Sequence, residues 1–449
     1  MSVGLLRLRE EPDAIRKGAI DKGEDPALVD AALAADTRRR ELQGEADALR
    51  AERNAASKSI GESIKAGAKP DGPEVAALRT RSTEIGKRLA DSEKELAASE
   101  AQIADLLLRI PNPAEPDVPV GGEEANVTVR TWGEQLPRSQ PVEGDVGADA
   151  PAGGATWERR PHWELAENLD IIDLPRGAKI AGSGFPVYKG AGAALQRALI
   201  TWFLDVHTRE NGFTEIWPPI VINQASARGT GQIPDKEDQM YVVTRDDLYL
   251  VPTAEVPVTN LHRDEILEPG TLPIHYVAYT PCFRREAGAA GKDTRGILRV
   301  HQFDKVEMVL FERPEVSGAA LDWMTGRAED LLQRLGLAYR VLLMSTGEMG
   351  FVQSRKYDLE VWAPGVERWL EVSSCSNFRD YQARRMAIRY RAEKGGRAEL
   401  VHTLNGSGLA LARTVAALLE TYQLADGSIL VPEVLRPYLG SDRIGQPAG

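Results

Sequence analysis

The feature that most constrains this chain is a run of apolar and small residues in its first quarter. Their spacing alternates between four and three residues over four heptads, which is the repeat of a coiled-coil seam carried by one helix. The seam positions are Leu78, Ser82, Ile85, Leu89, Ser92, Leu96, Ser99, Ile103 and Leu106. A helix with such a seam requires a partner helix that covers it.

A second series precedes the first and keeps the same phase. Its members are Leu42, Ala46, Leu49, Ala56 and Ile60, with Arg53 as a polar interruption. Residues 65–73, between the two series, are rich in glycine and proline, and Pro73 suits the first turn of a new helix. Two long helices joined by so short a segment fold back antiparallel, and at 1.5 Å per residue they form an arm on the order of 50 Å long.

The arm has two interpretations. It could be a dimerisation coiled coil, or it could reach out to a ligand. Residues 38–69 hold eight basic and five acidic side chains, although the whole chain has a net charge of -12. That net charge opposes non-specific binding to nucleic acid, which depends on neutralising phosphates. The local basic surplus makes the arm the place where RNA could still bind.

Composition is that of a globular cytoplasmic protein. Hydrophobic residues make up 42% and charged residues 27% of the chain, so disorder is not expected. No apolar run approaches the roughly 18 residues of a membrane span, and the charged N-terminal segment lacks the apolar core and cleavage site typical of a signal peptide. We therefore expect no membrane partner. The two cysteines, Cys282 and Cys375, are far apart, which predicts a reducing compartment and neither a disulfide framework nor a zinc site.

The chain is predicted to have three regions. We expect an N-terminal helical domain over residues 1–110, a linker over 111–160 and a catalytic domain over 161–449. Prolines after Ile110 end the second helix, and residues 132–158 are acidic and rich in Gly, Ala and Pro, as mobile linkers are. Beyond residue 160 the strand and helix signals alternate without a regular order, which favours an α+β domain built on an antiparallel sheet flanked by helices.

Residues 282–307, CFRREAGAAGKDTRGILRVHQFDKVE, predict a strand, a mobile loop and a second strand. Alternation should place Arg284 and Glu286 on one face of the first strand. On the second strand it should place five side chains on one face: Arg299, His301, Phe303, Lys305 and Glu307. An exposed hairpin with ordinary ion pairs is the alternative. Because guanidinium groups can bridge a phosphate and a carboxylate, and aromatic rings can stack on bases, the whole set favours a site that holds ATP for attack by a carboxylate.

Other segments carry weaker signals. Gly406 and Gly408 indicate a glycine turn before a helix that carries Arg413. Glu371 and Ser374 offer the hard oxygen donors that Mg²⁺ prefers. A short segment between two prolines holds a threonine and a glutamate. Residues 195–206 form a broad apolar stripe, which predicts a core helix whose extra width could serve a subunit interface. Each of these signals has an ordinary structural explanation when it is taken alone.

The motifs together resemble those of the class II aminoacyl-tRNA synthetases, in the order found there. GFTEIWPP resembles motif 1, CFRREAG with TRGILRVHQFDKVE resembles motif 2, and NGSGLALART resembles motif 3, although Ala412 stands where many relatives have glycine. TAE, EVSS and TGQIPDKEDQMY are similar to features of the seryl type. Over nearly its whole length the chain thus resembles the bacterial-type seryl-tRNA synthetases.

The resemblance implies a role for each matching position. Arg284, Glu286 and Arg413 would be the catalytic residues, with Arg284 on the α-phosphate and Glu286 toward the adenine, while Phe303 and Arg413 enclose the base. The implied ATP-binding set is Arg284, Arg285, Glu286, Phe303, Glu371, Val372, Ser373, Ser374 and Arg413, of which Glu371 and Ser374 would hold Mg²⁺. The implied serine-binding set is Thr253, Ala254, Glu255, Glu307 and Ser407.

The implied activity joins L-serine to tRNA(Ser), with tRNA(Sec) as a further expected partner, at the expense of ATP and through a seryl-adenylate. The arm would grip the long variable arm of the tRNA, and motif 1 would build a homodimer. Two alternatives differ in their sequence features. A ligase that charges a carrier protein would lack the arm, and an inactive paralogue should have lost Arg284, Glu307 or Arg413, which are all present.

Overall fold

The computed structural model describes residues 3–141, 156–287 and 295–445. The chain divides into two compact units, Met1–Pro111 and Asn112–Gly449. Each unit has hydrophobic clusters of its own. Within the described residues, no helix combines the length and the apolar character that crossing a membrane requires.

The N-terminal unit is helical in its described part and contains the predicted arm. Ion pairs join Arg38 to Glu95 and Arg81 to Glu52, so the residue number falls on one long helix as it rises on the other. The two long helices are therefore antiparallel, as predicted, and they have 39 and 36 residues. The helices are α1 Leu5–Glu10, α2 Pro12–Asp21, α3 Ala27–Lys65 and α4 Pro73–Leu108.

The seam of the arm follows the predicted repeat. On α3 the buried seam positions are Leu42, Ala46, Leu49 and Ala56, and on α4 they run from Ile85 to Ile103. Near the tip, Ile60 and Leu78 are only half-buried, and in the last turn Leu107 is buried in place of Leu106. The small Ala and Ser side chains of the seam let the two helices approach closely.

The second unit is built on a sheet of eight strands, in the order β1-β13-β14-β15-β18-β12-β11-β6. All neighbours are antiparallel except β11 and β6, which run parallel. The strands of this sheet are β1 Val127–Trp132, β6 Thr214–Ile216, β11 Ile274–Phe283, β12 Gln302–Glu312, β13 Tyr339–Leu343, β14 Arg355–Ala363, β15 Arg368–Arg379 and β18 His402–Ala410. The predicted α+β class is confirmed.

Short strands and helices complete the described part of this unit. The remaining strands are β2 Ser139–Pro141, β3 Thr156–Glu158, β4 Ile172–Asp173, β5 Val187–Tyr188, β7 Val221–Asn223, β8 Val242–Val243, β9 Leu248–Leu250, β10 Ile266–Leu267, β16 Arg389–Arg391, β17 Ala398–Leu400, β19 Ile429–Leu430 and β20 Arg443–Ile444. The helices are α5 His162–Asn168, α6 Leu174–Ala181, α7 Ala191–Asp205, α8 Gln224–Thr230, α9 Glu255–Thr259, α10 Ser317–Arg334, α11 Tyr381–Met386, α12 Leu411–Tyr422 and α13 Arg436–Leu439.

The largest core lies where α7, α10 and α12 pack on the sheet. Along β12, Val306, Met308 and Leu310 belong to this core, whereas Val309 and Phe311 belong to a smaller core with α9 and α11. Successive side chains of a strand point to opposite faces. Glu307 lies two residues before Val309 and therefore points to the same face, away from the three large helices.

The predicted linker over 111–160 is wrong in its first part. The amide of Asn112 donates to the carbonyls of Val352 (3.0 Å) and Phe378 (2.9 Å), and β1 is an edge strand of the main sheet. All six side chains of β1 are exposed, so no alternation of buried and exposed side chains accompanies this strand. Its order comes from backbone pairing with β13. Residues 142–155 of the predicted linker lie outside the described residues.

The predicted hairpin of residues 282–307 is also shorter than expected. Its first strand ends at Phe283 and its second begins at Gln302, so Arg284, Glu286, Arg299 and His301 lie outside the strands. Glu286 has a φ of +49°, which strand geometry excludes. The alternation still holds for Phe303, Lys305 and Glu307. The predicted mobile loop falls mostly on residues 288–294, outside the described residues.

Candidate active site

A cavity of about 430 Å³ lies within the second unit, against the sheet. Strands β12, β15 and β18, the start of α12, and residues 231–240 and 252–255 contribute to its walls. We call the carboxylates and hydroxyls of the lining around Glu255 the carboxylate end, and the arginines and aromatic ring around Arg284 the cationic end.

The carboxylate end is organised by strand pairing. Glu307 on β12 pairs directly with Ser407 on β18, and Ser407 Oγ donates to Glu307 Oε2 at 3.2 Å. The ammonium of Lys305, two residues earlier on the same face, lies 2.6 Å from the same oxygen. Asn405 Nδ2, two residues before Ser407, donates to Glu307 Oε1 (2.8 Å) and to Glu255 Oε2 (3.1 Å). One amide therefore links two buried carboxylates.

Glu255 lies in an environment that disfavours its charge. Burial, followed by the negative charge of Glu307, raises the pKa of Glu255 to about 7, although the amide of Gln382 donates to Glu255 Oε1 at 2.6 Å and acts in the opposite direction. Among the described residues, Thr253 Oγ1 and Asn405 Oδ1 are buried side-chain atoms without a hydrogen-bond partner. Both residues line the cavity. Because buried polar atoms are normally paired, these two atoms mark a place for a polar ligand.

The cationic end contains two arginines at fixed positions. The guanidinium carbon of Arg284 lies 5.2 Å from the centre of the Phe303 ring, in cation–π geometry. Arg413 Nε donates to the carbonyl of Leu298 (3.0 Å) and Nη1 donates to the carbonyl of Glu371 (3.1 Å). Both arginines line the cavity, where their guanidinium groups can donate hydrogen bonds to a phosphate.

A β-bulge brings two oxygen donors together. In a regular strand Glu371 and Ser374, three residues apart, would point to opposite faces. Opposite β14, however, Val372 is an extra residue, because Ser373 pairs with Leu359 and Glu371 pairs with Glu360. As a result, Ser374 Oγ donates to Glu371 Oε1 at 3.0 Å, and both residues line the cavity.

The electrostatics around this pair favour a carboxylate. Burial raises the pKa of Glu371, but the positive charges of Lys356 and Arg413 outweigh that effect, and the net pKa is lowered. Lys356 also pairs with Asp358 at 2.8 Å, and burial raises the pKa of that aspartate. Across the part of the chain that the structure describes, no group of three His, Cys, Asp or Glu could hold a metal ion. Two hard oxygens still fit Mg²⁺, which takes its remaining ligands from phosphates and water.

The predicted glycine turn at 406–408 is wrong, because both glycines lie inside strand β18. A Cβ atom at Gly408 would lie 2.4 Å from His207 Nε2, and one at Gly406 would lie 2.9 Å from Cys375 Sγ. The glycines therefore allow a close approach between strand and neighbours, and the chain does not turn there.

The structure brings most of the predicted site residues together. Those that line the cavity are Thr253, Glu255, Arg284, Glu286, Phe303, Glu371, Val372, Ser373, Ser374, Ser407 and Arg413. Glu307 is completely buried directly behind Ser407. Arg285 does not line the cavity, since Nη1 of its guanidinium donates to the carbonyl of Asp238 at 3.0 Å, and Ala254 is buried in the smaller core.

The sequence reasoning missed several polar residues. Asn405 could have been found, because it precedes Ser407 by two positions on the same strand face. Lys305 lies on the face that alternation predicts, but alternation gives no sign of its ion pair with Glu307. Gln382 and Lys356 carry no local signal, since they reach the site from α11 and β14, far away in sequence.

Comparisons with known proteins agree with this geometry. The family described as the seryl-tRNA synthetase N-terminal domain matches residues 5–114, and the tRNA synthetase class II core domain (G, H, P, S and T) matches residues 241–422. The serine–tRNA ligase of Thermomicrobium roseum is 52% identical over 99% of this chain and 95% of its own length. That of Exiguobacterium sibiricum is 48% identical over 98% of both chains.

Solved structures give the same result. The crystal structure of seryl-tRNA synthetase from Pyrococcus horikoshii complexed with ATP has a TM-score of 0.89 and 38% identity, over 99% of this chain and 100% of that one. The cytoplasmic serine–tRNA ligase of Naegleria fowleri in complex with AMP has a TM-score of 0.83 and 28% identity, over 97% and 96% of the two chains. By its sequence over nearly its full length and by its fold, this chain belongs to the seryl-tRNA synthetase family.

Proposed function

We propose that this protein is a serine–tRNA ligase, which activates L-serine with ATP to seryl-adenylate and transfers the seryl group to tRNA(Ser). The observation that carries the proposal is one cavity lined both by Arg284, Phe303 and Arg413 and by Glu255, which Asn405 links to Glu307 behind the wall. The names of the relatives, and the ATP in the Pyrococcus horikoshii complex, support it.

The carboxylate end is the proposed serine pocket. Glu255 and Glu307 supply the negative charge that a serine ammonium needs, and Thr253, Asn405 and Ser407 supply hydroxyl and amide groups for the serine hydroxyl and carboxylate. Alanine would leave those polar groups unpaired, which is a strong basis for rejecting it. The lack of a partner for Thr253 Oγ1 and Asn405 Oδ1 among the described residues supports this assignment.

The cationic end is the proposed ATP site. Arg284 would contact the α-phosphate and Glu286 would face the adenine, while Phe303 and Arg413 would enclose the base. Glu371 and Ser374 would hold Mg²⁺, which neutralises phosphate charge when it is bound. The serine carboxylate attacks the α-phosphorus and pyrophosphate leaves, so the protein acts mainly by orienting the reactants and by placing cations where charge develops.

The remaining partners follow from the N-terminal unit and from one exposed patch. We propose that the arm binds tRNA(Ser), and tRNA(Sec) with it, through its basic surplus. Trp217 is 80% exposed, and Ile220 and Val221 close to it are about 40% exposed. An apolar patch of this kind suits a second copy of the chain, so we propose a homodimer in the cytoplasm.

The test is ATP–pyrophosphate exchange with a panel of amino acids, followed by charging of unfractionated tRNA. We expect exchange with serine, and none above background with alanine or glycine. Seryl-tRNA should then form with the tRNA(Ser) fraction. Exchange with alanine or glycine but not serine would overturn the proposal.

A further inference from the structure

Two completely buried residues outside the cavity, His162 and Glu420, connect distant parts of the second unit. His162 is the first residue of α5, and Glu420 lies near the end of α12. The carboxylate of Glu420 accepts four hydrogen bonds. Its Oε1 accepts from the backbone N–H (2.9 Å) and from Nδ1 (2.8 Å) of His162, and its Oε2 accepts from the N–H groups of Gly365 (2.8 Å) and Val366 (3.0 Å).

This arrangement sets the tautomer of His162. A carboxylate only accepts, so Nδ1 carries the hydrogen and Nε2 of a neutral ring is left with a free lone pair. That nitrogen lies 3.3 Å from the backbone nitrogen of Ile297, which donates to it. The chain approaches closely here, because a Cβ atom at Gly296 would lie 2.3 Å from His162 Nε2. Gly296 also has a φ of +66°.

The contact at Ile297 continues to the cavity. Leu298, the next residue, lines the cavity and accepts a hydrogen bond from Arg413 Nε at 3.0 Å. Arg413 and Glu420 are seven residues apart on α12, which places them on the same face two turns apart. Residues 297–298 are therefore attached to α12 at two points, directly through Arg413 and indirectly through His162 and Glu420.

We propose that His162 is a positioning residue for ATP. By accepting from the Ile297 N–H it fixes the Leu298 carbonyl, and this carbonyl fixes the guanidinium of Arg413 at the cavity. The inference rests on the proposed function, in which Arg413 packs on the base. Loss of the Nε2 acceptor should then weaken ATP binding and leave the serine pocket, at the other end of the cavity, nearly unchanged.

The experiment compares two substitutions, each of which can reproduce the hydrogen bond of one imidazole nitrogen and not that of the other. In His162→Asn the amide nitrogen can replace Nδ1 as donor to Glu420, but nothing replaces Nε2. In His162→Gln the amide oxygen can reach the place of Nε2 and accept from Ile297. Serine-dependent ATP–pyrophosphate exchange should show a KM for ATP about tenfold higher in H162N, a KM for serine within twofold of wild type, and recovery of most of the ATP effect in H162Q.

A control is His275→Asn, which breaks a second His–Glu pair. This pair, with 2.8 Å from His275 Nε2 to Glu312 Oε1, is only partly buried and does not line the cavity. The substitution should lower the melting temperature without changing either KM. If H162N does not fold, Gly296→Ala tests the same contact and should also raise the KM for ATP selectively. An unchanged KM for ATP, or equal rises for ATP and serine, would overturn the inference. Wild-type protein without serine-dependent exchange would instead contradict the proposed function.

Discussion

The arm and the cavity are stabilised in opposite ways. The arm depends on one seam of small and medium-sized apolar side chains, and the ion pairs between its two helices, such as Arg50–Glu93, lie on the surface. In the cavity, charged and polar groups such as Lys305 and Glu307 are buried and bonded to one another. Exposed ion pairs contribute about 0–1 kcal/mol each, whereas breaking a buried pair costs about 3–5 kcal/mol. The losses caused by single substitutions should therefore vary gradually from position to position in the arm. At the cavity, large losses should be confined to a few buried groups.

The largest effect is expected when residues 38–106 of the arm are removed and the ends are joined by a short Gly/Ser link. Because the cavity is formed entirely within the second unit, serine-dependent exchange should stay within about twofold of wild type. Charging of tRNA should fall by at least about 10³-fold, since the proposed binding arm is gone. Loss of exchange in a variant that remains folded by circular dichroism would show that the arm supports the cavity.

The second test is Glu307→Gln, which keeps the shape of the side chain and removes its charge. Lys305 would then be buried without its ionic partner, so kcat/KM for serine in the exchange assay should fall by about 10²–10³-fold. Glu360→Gln is the control, because the Glu360–Arg340 pair (2.6 Å) is partly exposed and does not line the cavity. An E307Q enzyme with near-normal kinetics would mean that the buried pair has no role in serine binding.

The third test uses the raised pKa of Glu255. With a pKa of about 7 in the folded protein, roughly a tenth of this carboxyl group is ionised at pH 6 and roughly nine tenths at pH 8. A serine ammonium prefers the ionised form, so the KM for serine should fall about tenfold from pH 6 to pH 8. The KM for ATP should not follow this change. In Glu255→Gln the pH dependence of the KM for serine should disappear. If that dependence is unchanged in E255Q, it belongs to another group.

The same shift has a defined effect on stability. The pKa of Glu255 is raised above the ordinary value of 4.5, so the folded protein retains a proton that the unfolded chain has released. The free energy of unfolding without ligand should therefore decrease as the pH rises from about 4.5 to about 7. Saturating serine should reduce this decrease, and thermal unfolding with and without serine at each pH measures it.

The smallest effects on catalysis are expected from single substitutions in the arm. Leu89→Ala removes a buried seam side chain and should lower the free energy of unfolding by about 2–4 kcal/mol, less if the helices close on the gap. Glu93→Gln breaks only the surface pair with Arg50 and should cost less than about 1 kcal/mol. Urea unfolding followed by circular dichroism distinguishes the two, and neither variant should change the KM for serine or ATP. Equal losses would mean that the seam is not the main source of stability.

The two regions also differ in how far their sequence predicts their structure. The seam of the arm repeats locally, so residues such as Leu42 and Leu89 reveal their burial without knowledge of the rest of the chain. At the cavity, Phe303, Lys305 and Glu307 were predicted to share a face because alternation is local too. The predicted strand ends were wrong, because Arg284 and Glu286 lie outside β11. The backbone N–H of Arg285 donates to the carbonyl of Gln239, a long-range contact that no local pattern indicates.

Long-range pairing explains the other differences. Strand β1 has no burial pattern and is ordered by β13, more than 200 residues later in the chain. Gly406 and Gly408 suggest a turn when they are read locally, yet their actual neighbours, Cys375 and His207, come from other elements. Gln382 reaches Glu255 from α11 in the same way. Such contacts follow from the topology of the sheet, which local sequence patterns do not specify.

The bulge at Val372 also sets a limit on how the chain can change in length. A surface loop tolerates the loss of a residue at many positions, but β15 tolerates it only at the bulge. Deletion of Val372 would restore regular alternation and leave Glu371 and Ser374 two residues apart, still on one face of the strand. Deletion of a residue away from the bulge would instead turn every side chain beyond it to the opposite face. In the design of variants, strand β15 should therefore be shortened only at its bulge.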